Sequence, residues 1–390
     1  MRRAPRHDLD IKRFTIDPYP DLAELRSKAP IAFIPQLNAT MVTKHEDILE
    51  VGRRPDVFSS QMPGSLMTVL MGENMMRRDG ASHAHERGIL APAVSPKKVK
   101  EIWKELFQQH ANQILHDLKP RGHADFVADF ALPFCAESLK SMTGLKAVRY
   151  QDMDAWSQAM MDGISNFRGD PVIEKLCRDA TAAIDAAIED MIPRAIEEVP
   201  DSLLGAMSRA GLPIDRIRVN IKLAISGGQN EPRKAVAGTL WALLERTEQL
   251  EAVREGAASW SDAFDEYVRW MSPINMIPRL VASAVTFRGI DLAPGDRILL
   301  MLGSGNRDEE KMQFPDRYDV RRNKIQSLAF GTGAHFCMGS WAARCMTADV
   351  ALPSVIDKLA KISLVKGKAI EVSGWPFRGV ASLPVQWPTD

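Results

Sequence analysis

Cysteine is scarce in this chain, and the four that occur, Cys135, Cys177, Cys337 and Cys345, include no CxxC pair. So few, so spaced, do not build a disulfide framework, which leaves a role for a single thiolate open. Long apolar runs are missing too: none approaches the roughly 20 residues that span a bilayer. The N-terminus, MRRAPRHDLDIKRF, is basic but has no apolar core, so it does not read as a signal peptide. These absences lead us to expect a soluble, cytoplasmic protein with no membrane partner. Nor is there an excess of charge of one sign. Lys+Arg and Asp+Glu both number 50, and nothing global points to nucleic acid or an acidic surface. No repeat or low-complexity linker divides the 390 residues, so one catalytic domain is expected over 1–390, with residues 1–20 as an N-terminal extension.

What is present is a composition for a large core, 45% hydrophobic and 26% charged, with helical periodicity dominant. Apolar residues recur with helical spacing over 97–118, and 149–166, 174–192 and 260–271 read similarly. The stretch 215–250 would be one long helix but for Gly227, Gly228 and Pro232. Strand signals are fewer. IAFIP (31–35) and TMVT (40–43) suggest a hairpin, Arg279–Arg288 and Arg297–Leu302 flank a turn, and Gly379–Trp387 looks extended. The fold class expected is mainly α with a minor β-sheet region.

The most informative segment runs from Phe330 to Gly339, FGTGAHFCMG. Glycines permit sharp turns and close backbone approach to a flat ligand. A cysteine just before a helix faces backbone N–H groups and a positive dipole end, which favour thiolate over thiol. Such a thiolate can serve as an axial ligand to haem iron. Read alone, the segment is more simply a glycine-rich turn around a buried cysteine. A zinc site is the other option, but His335 and Cys337 lack a second close pair.

The segment resembles the haem-binding loop of the cytochrome P450 family, FGxGxHxCxG. Phe330, Gly331, Gly333, His335, Cys337 and Gly339 match its fixed positions, and Arg344 falls where the family has an arginine after the loop. The resemblance implies the cytochrome P450 fold, haem b as cofactor, Cys337 as axial iron ligand, His335 at a haem propionate, and Phe330 and Gly339 among the cofactor-binding positions. Three further segments resemble the same family. Glu266-Tyr267-Val268-Arg269 matches its ExxR element, whose spacing puts both side chains on one helix face; the resemblance makes the pair structural, bracing the cysteine loop. Arg279 matches a propionate-binding arginine. His83 and Arg87 match the His-xxx-Arg pair that grips propionates, a task suited to arginine. Here Gly80-Ala81 replaces the usual prolines, and His85 sits where an arginine is common. Asn306-Arg307-Asp308 and Phe314–Arg321 resemble the stretch leading to the cysteine loop.

The departure from the family lies in Ser226-Gly227-Gly228-Gln229-Asn230-Glu231-Pro232-Arg233. The family commonly has an acid and then threonine where this chain has Asn230 and Glu231. Proline inside a helix removes a hydrogen bond and costs about 3 kcal/mol or more. An opened turn there would suit water and oxygen, while the plain alternative is a helix break with Glu231 facing solvent. The expected catalytic set is Glu231 as proton relay, Asn230 orienting Glu231 or a water, and Gly228 allowing close approach. A free glutamate has a pKa of about 4.3, and burial raises it toward the range useful for proton donation. The Glu-Pro variant resembles a minor branch of the family that includes aromatic ether O-demethylases.

The methionine-rich stretch 61–76, including Met67 and Leu70, falls where the resemblance places a loop over the substrate pocket. Ile274, Asn275 and Ile277 follow ExxR at pocket-lining positions; Leu223, Gly227 and Phe377 complete the candidate lining. An apolar pocket with one or two polar anchors fits a small or medium hydrophobic organic substrate. No flavin or ferredoxin segment occurs in the sequence. Electrons from NAD(P)H are therefore expected through a separate ferredoxin or flavodoxin-type donor and its reductase. Lys97, Lys98, Lys100, Lys104 and Arg344 are candidates to dock an acidic donor. The function expected is insertion of one oxygen atom from O2, by hydroxylation or O-dealkylation. A peroxide-driven peroxygenase and a non-catalytic haem sensor or carrier are the alternatives.

Overall fold

The computed structural model describes residues 2–389. Along the chain the helices that matter below are α1 (His45–Gly52), α2 (Leu66–Met71), α3 (Gly80–Leu90), α4 (Lys104–Leu118), α5 (Leu132–Thr143), α6 (Tyr150–Ile164), α7 (Pro171–Met191), α8 (Ile214–Gly228), α9 (Asn230–Glu245), α10 (Trp260–Met271) and α11 (Ser340–Arg344). The strands are β1 (Ile31–Ile34), β2 (Ala39–Val42), β3 (Phe58–Ser59), β4 (Ile277–Val281), β5 (Val285–Phe287), β6 (Ile290–Leu292) and β7 (Arg297–Leu300). The chain forms two compact units, each built from non-contiguous segments.

The first unit runs through Gln61, then takes in Ala237–Cys337 and Leu364–Leu383. Its centre is a five-stranded sheet in the order β1-β2-β7-β4-β3. The expected hairpin is there, with Ile31 opposite Val42 and Ile34 opposite Ala39. β2 and β7 pair in parallel; β4 runs antiparallel to β7, with Arg279 opposite Ile298. Ile48 and Val51 of α1 pack with Phe58, Val281, Ile298 and Leu300 into an apolar cluster. The block read as one extended stretch, 279–288, is two strands instead. β5 turns directly into β6 through Arg288 and Gly289, both at positive φ.

The second unit takes in Met62–Val236, Met338–Ser363 and the chain from Pro384 on. It is mostly helical. The stretch 97–118 is helical throughout, with a π turn at Val99–Trp103 leading into α4. α6 and α7 approach closely because Gly163 has no side chain: a Cβ there would lie 2.7 Å from Cys177 Sγ. Pro353 also finds its reason. A π-helical segment, Cys345–Ala351, precedes the helix Leu352–Lys358, and the proline sits in that helix's first turn, where its missing N–H is not required. Among the described residues no helix is long and apolar enough to cross a membrane.

Candidate active-site elements

The glycine pattern of the cysteine loop has a backbone cause. Gly331 and Gly333 adopt φ of 72° and 68°, the left-handed region that disfavours a side chain. A Cβ on Gly333 would lie 2.1 Å from the carbonyl oxygen of Gly52, so the loop rests directly on the end of α1. Within the loop, Gly331 N–H donates to Leu328 O (2.8 Å) and Cys337 N–H donates to Phe330 O (2.8 Å). The Phe330 ring lies between Phe264 (centroids 6.2 Å) and Phe336 (6.3 Å). Behind this anchored backbone, Ala334, Phe336 and Cys337 are exposed and His335 is half-buried.

Cys337 thus differs from the other cysteines. Cys135, Cys177 and Cys345 are buried, and burial pushes their thiols up, that of Cys345 to about 12. Those three are inert core residues. An exposed sulfur on a rigid, partly apolar loop fits a flat iron macrocycle that covers the face and takes one soft donor. It does not fit zinc: among the described residues no group of three or more His, Cys, Asp or Glu is placed to hold a metal.

Glu266 and Arg269 project from α10 as a buried bidentate pair, with Arg269 Nε donating to Glu266 Oε2 (2.7 Å) and Nη2 to Oε1 (2.8 Å). The remaining Arg269 donors reach the carbonyls of Asn306 (2.9 Å), Pro315 (2.8 Å) and Arg317 (3.0 Å). Glu266 also accepts from Asp319 N–H (2.9 Å) and Arg322 Nε (3.0 Å). Asn306 carries the connection on, its Oδ1 accepting from Leu328 N–H (2.7 Å) at the base of the cysteine loop. Arg279, on β4, is buried and donates to Pro278 O (2.9 Å). Ile274 and Phe377 form a bridge. Ile277, the first residue of β4, is half-buried. Asn275 does not face open space. Its amide is fully buried against Gly303, and neither of its polar atoms has a hydrogen-bond partner.

In the second unit, His83 and Arg87 lie one turn apart on α3, His83 buried and Arg87 half-buried. Between them stands Glu86, which the sequence reading did not single out. It is buried and accepts from Arg216 Nε (2.7 Å) and Nη2 (2.9 Å), Asn220 Nδ2 (2.8 Å) and Arg78 Nη1 (3.1 Å). Burial alone would raise the Glu86 carboxyl, but these donors hold it below its ordinary value. Glu86 ties α3 to α8. Its charge was visible in the sequence; partners 130 and more residues away were not.

The interrupted helix differs from the expectation. Only Gln229 is non-helical, and Pro232 falls in the first turn of α9, where proline is tolerated. No interior hydrogen bond is broken by it. Gly228 serves close packing: a Cβ there would meet Leu139 Cδ1 of α5 at 2.7 Å. A Cβ on Gly227 would meet nothing within 4 Å, so this glycine borders open space. Asn230 does not orient Glu231. Its Nδ2 donates to Ser157 Oγ (3.0 Å) and its Oδ1 accepts from Arg233. Glu231 is not solvent-facing at its carboxyl: Oε2 is buried and has no hydrogen-bond partner. Desolvation pushes its pKa up to about 7, against the pull of Lys234 and Arg233. Met67 and Leu70 are buried on α2, with Leu70 Cδ1 3.1 Å from where a Gly163 Cβ would stand; Leu223 of α8 is half-buried. Of the lysines considered for docking, Lys98 is paired with Asp201 (2.6 Å).

The cytochrome P450 family model matches residues 261–359, which hold both ExxR and the cysteine loop. A methyl-branched lipid omega-hydroxylase of Mycobacterium bovis is 27% identical, covering 94% of this chain and 90% of that protein. A steroid C26-monooxygenase of Mycolicibacterium smegmatis is 26% identical over 93% and 90% of the two chains. The structure of CYP109E1 from Bacillus megaterium in complex with testosterone superposes with a TM-score of 0.87 at 21% identity, covering 96% of this chain and 99% of that one. With the family model matched over residues 261–359, the fold shared along nearly the whole length and monooxygenases among its relatives, the chain resembles cytochromes P450.

Proposed function

We propose that this chain is a monooxygenase with Cys337 as axial ligand of haem b, inserting one atom of O2 into a small or medium hydrophobic substrate. The observation that carries this reading is Cys337 itself, an exposed sulfur on a loop fixed by two left-handed glycines and its own backbone hydrogen bonds. Haem, when bound, supplies the reductive activation of O2. His83, Arg87, Arg279 and His335 are assigned to its propionates, and Phe330 and Gly339 to the surrounding loop. Glu266 and Arg269 keep that loop's supporting segment in place through Asn306.

Glu231 is the proton donor in this proposal. A carboxyl with a pKa near 7 is half protonated at neutral pH, which suits both giving and regaining a proton. It stands where the family commonly has a hydroxyl. Asn230 and Gly228 hold the helix start against α6 and α5 and take no part in proton transfer. Ile274, Ile277 and Phe377 in the first unit, and Met67, Leu70, Leu223 and Gly227 in the second, are proposed as substrate contacts on the family resemblance. The relatives named for steroid and methyl-branched lipid oxidation support a hydrophobic substrate. Electrons come from NAD(P)H through a ferredoxin or flavodoxin-type donor.

The test is isotopic. Aromatic ethers, terpenes and steroids that shift the haem spin state are turned over under 18O2 with a reconstituted donor and reductase. One 18O atom per hydroxylated product, or in the aldehyde released on O-dealkylation before it exchanges with water, is expected. Turnover with peroxide alone at rates matching the reductase system would favour a peroxygenase, and no spin shift across the library would favour a haem sensor or carrier.

A further inference from the structure

Arg216, Val219 and Asn220 stand at i, i+3 and i+4 on α8, so they share one face of that helix, and Leu223 extends it one turn beyond Val219. The chain from Gly72 to Arg78 crosses this face as a strap. It begins where α2 stops. Gly72 has a φ of 87°, and a Cβ there would lie 2.6 Å from Val219 Cγ1, so glycine allows both the turn and the close approach. Two side chains of α8 then hold the strap by its backbone. Arg216 Nη1 donates to Glu73 O (2.7 Å), and Asn220 Oδ1 accepts from Met75 N–H (2.9 Å). Asn74, fully buried, turns the chain between them, its Oδ1 accepting from Met76 N–H (3.1 Å). At the far end Arg78 donates to the Glu73 carboxylate (3.1 Å) and to Glu86 on α3 (3.1 Å).

Glu86 fixes both holds. Its carboxylate takes two Arg216 donors (2.7 and 2.9 Å) and the Asn220 amide (2.8 Å). An asparagine amide can turn end for end. With Nδ2 committed to a carboxylate, which only accepts, Oδ1 is the end left to face Met75 N–H. Glu86 and Asn220 are each 3% exposed, so water is poorly placed to replace either partner. The strap follows directly on α2, whose Leu70 rests against α6 beside Gly163. Segment 66–78 is thus held by α6 at one end and by α8 and α3 at the other.

We propose that Glu86 and Asn220 are positioning residues for the substrate: through the strap Gly72–Arg78 they set where Met67 and Leu70 of α2 stand relative to Leu223 of α8, and so the width offered to a hydrophobic ligand. This rests on the reading of Met67, Leu70 and Leu223 as substrate contacts. Neither positioning residue touches the ligand in that role. A strap that lost these holds would have to be ordered by the ligand itself, and the ordering would be drawn from the ligand's affinity.

Hydrogen exchange and azole binding to the ferric holoenzyme test this together. In Asn220→Ala the amides of residues 73–78 are expected to exchange about tenfold faster than in the wild type, Met75 most of all. 1-Phenylimidazole, which ligates haem iron and carries a ring into the pocket, is expected to bind about tenfold more weakly. Imidazole, too small to reach the pocket wall, is expected to keep its affinity. Arg78→Ala, at the half-buried end of the strap, is expected to move both readings the same way by less, and gives the answer should Asn220→Ala fail to fold. Unchanged exchange at 73–78 overturns the proposal in whichever variant folds. So does faster exchange with an unchanged ratio of phenylimidazole to imidazole affinity. A wild type that binds 1-phenylimidazole no more tightly than imidazole would instead remove the reading of Met67 and Leu70 as substrate contacts, and the proposal with it.

Discussion

Glu231 shows how one residue's surroundings make two predictions. Its pKa is 4.5 in an open chain and about 7 in the fold. Well below 4.5 both states are protonated and the carboxyl costs the fold nothing. Above 7 the folded chain must bury a charge, a cost on the order of 3 kcal/mol. Glu231→Gln should therefore unfold near the wild-type temperature at pH 5 and at a higher temperature at pH 8, as thermal melts at the two pH values would show. The same change should lower coupled product formation on the order of 100-fold, the usual contribution of a positioned acid, with reducing equivalents diverted to peroxide. Coupled turnover of the wild type should fall as pH rises past 7, because the donor then loses its proton. Gly333 makes a different residue-scale case. Alanine there carries a strain of about 1–2 kcal/mol from its left-handed backbone, and its methyl also meets the Gly52 carbonyl. Gly333→Ala should purify with reduced haem content, measured as the ratio of Soret to protein absorbance.

Elements were legible in the sequence wherever the signal was local. α10 spans Trp260–Met271, as its apolar spacing predicts, and its Ser259–Asp262 capping box fixes the start. β1 and β2 were legible as two short strand-like runs around a turn. The break between α8 and α9 was legible, but not its form: two glycines and a proline suggested a distorted interior, whereas the chain stops one helix and starts another at a single residue. Glu266 and Arg269 could be paired from their spacing. Their ties to residues 306–322 could not, because these depend on how an irregular segment wraps back over α10. Those ties set the expected cost of losing one partner. Glu266→Ala leaves Arg269 buried without its carboxylate, a loss of about 3–5 kcal/mol. A large drop in melting temperature is expected, together with poor haem incorporation even though neither residue touches the Cys337 sulfur in this account.

At the scale of the whole molecule, the cofactor class was readable only through the family resemblance of ten residues, because glycines at fixed backbone positions and a cysteine also suit a plain turn. The proton chemistry was half legible. Glu231 stood out by departing from the family pattern, yet the roles of Asn230 and Gly228 changed once Ser157, Arg233 and Leu139 were found against them. Glu86 carried no sequence signal beyond its charge, since Arg216 and Asn220 reach it from another helix. Whether the Cys337 thiolate binds haem iron is read from the reduced carbon monoxide difference spectrum. The wild type should show the red-shifted Soret band of a thiolate-ligated ferrous haem, and Cys337→Ser should lose it. A protein that takes up no haem, or a red-shifted band that survives Cys337→Ser, would contradict ligation by Cys337.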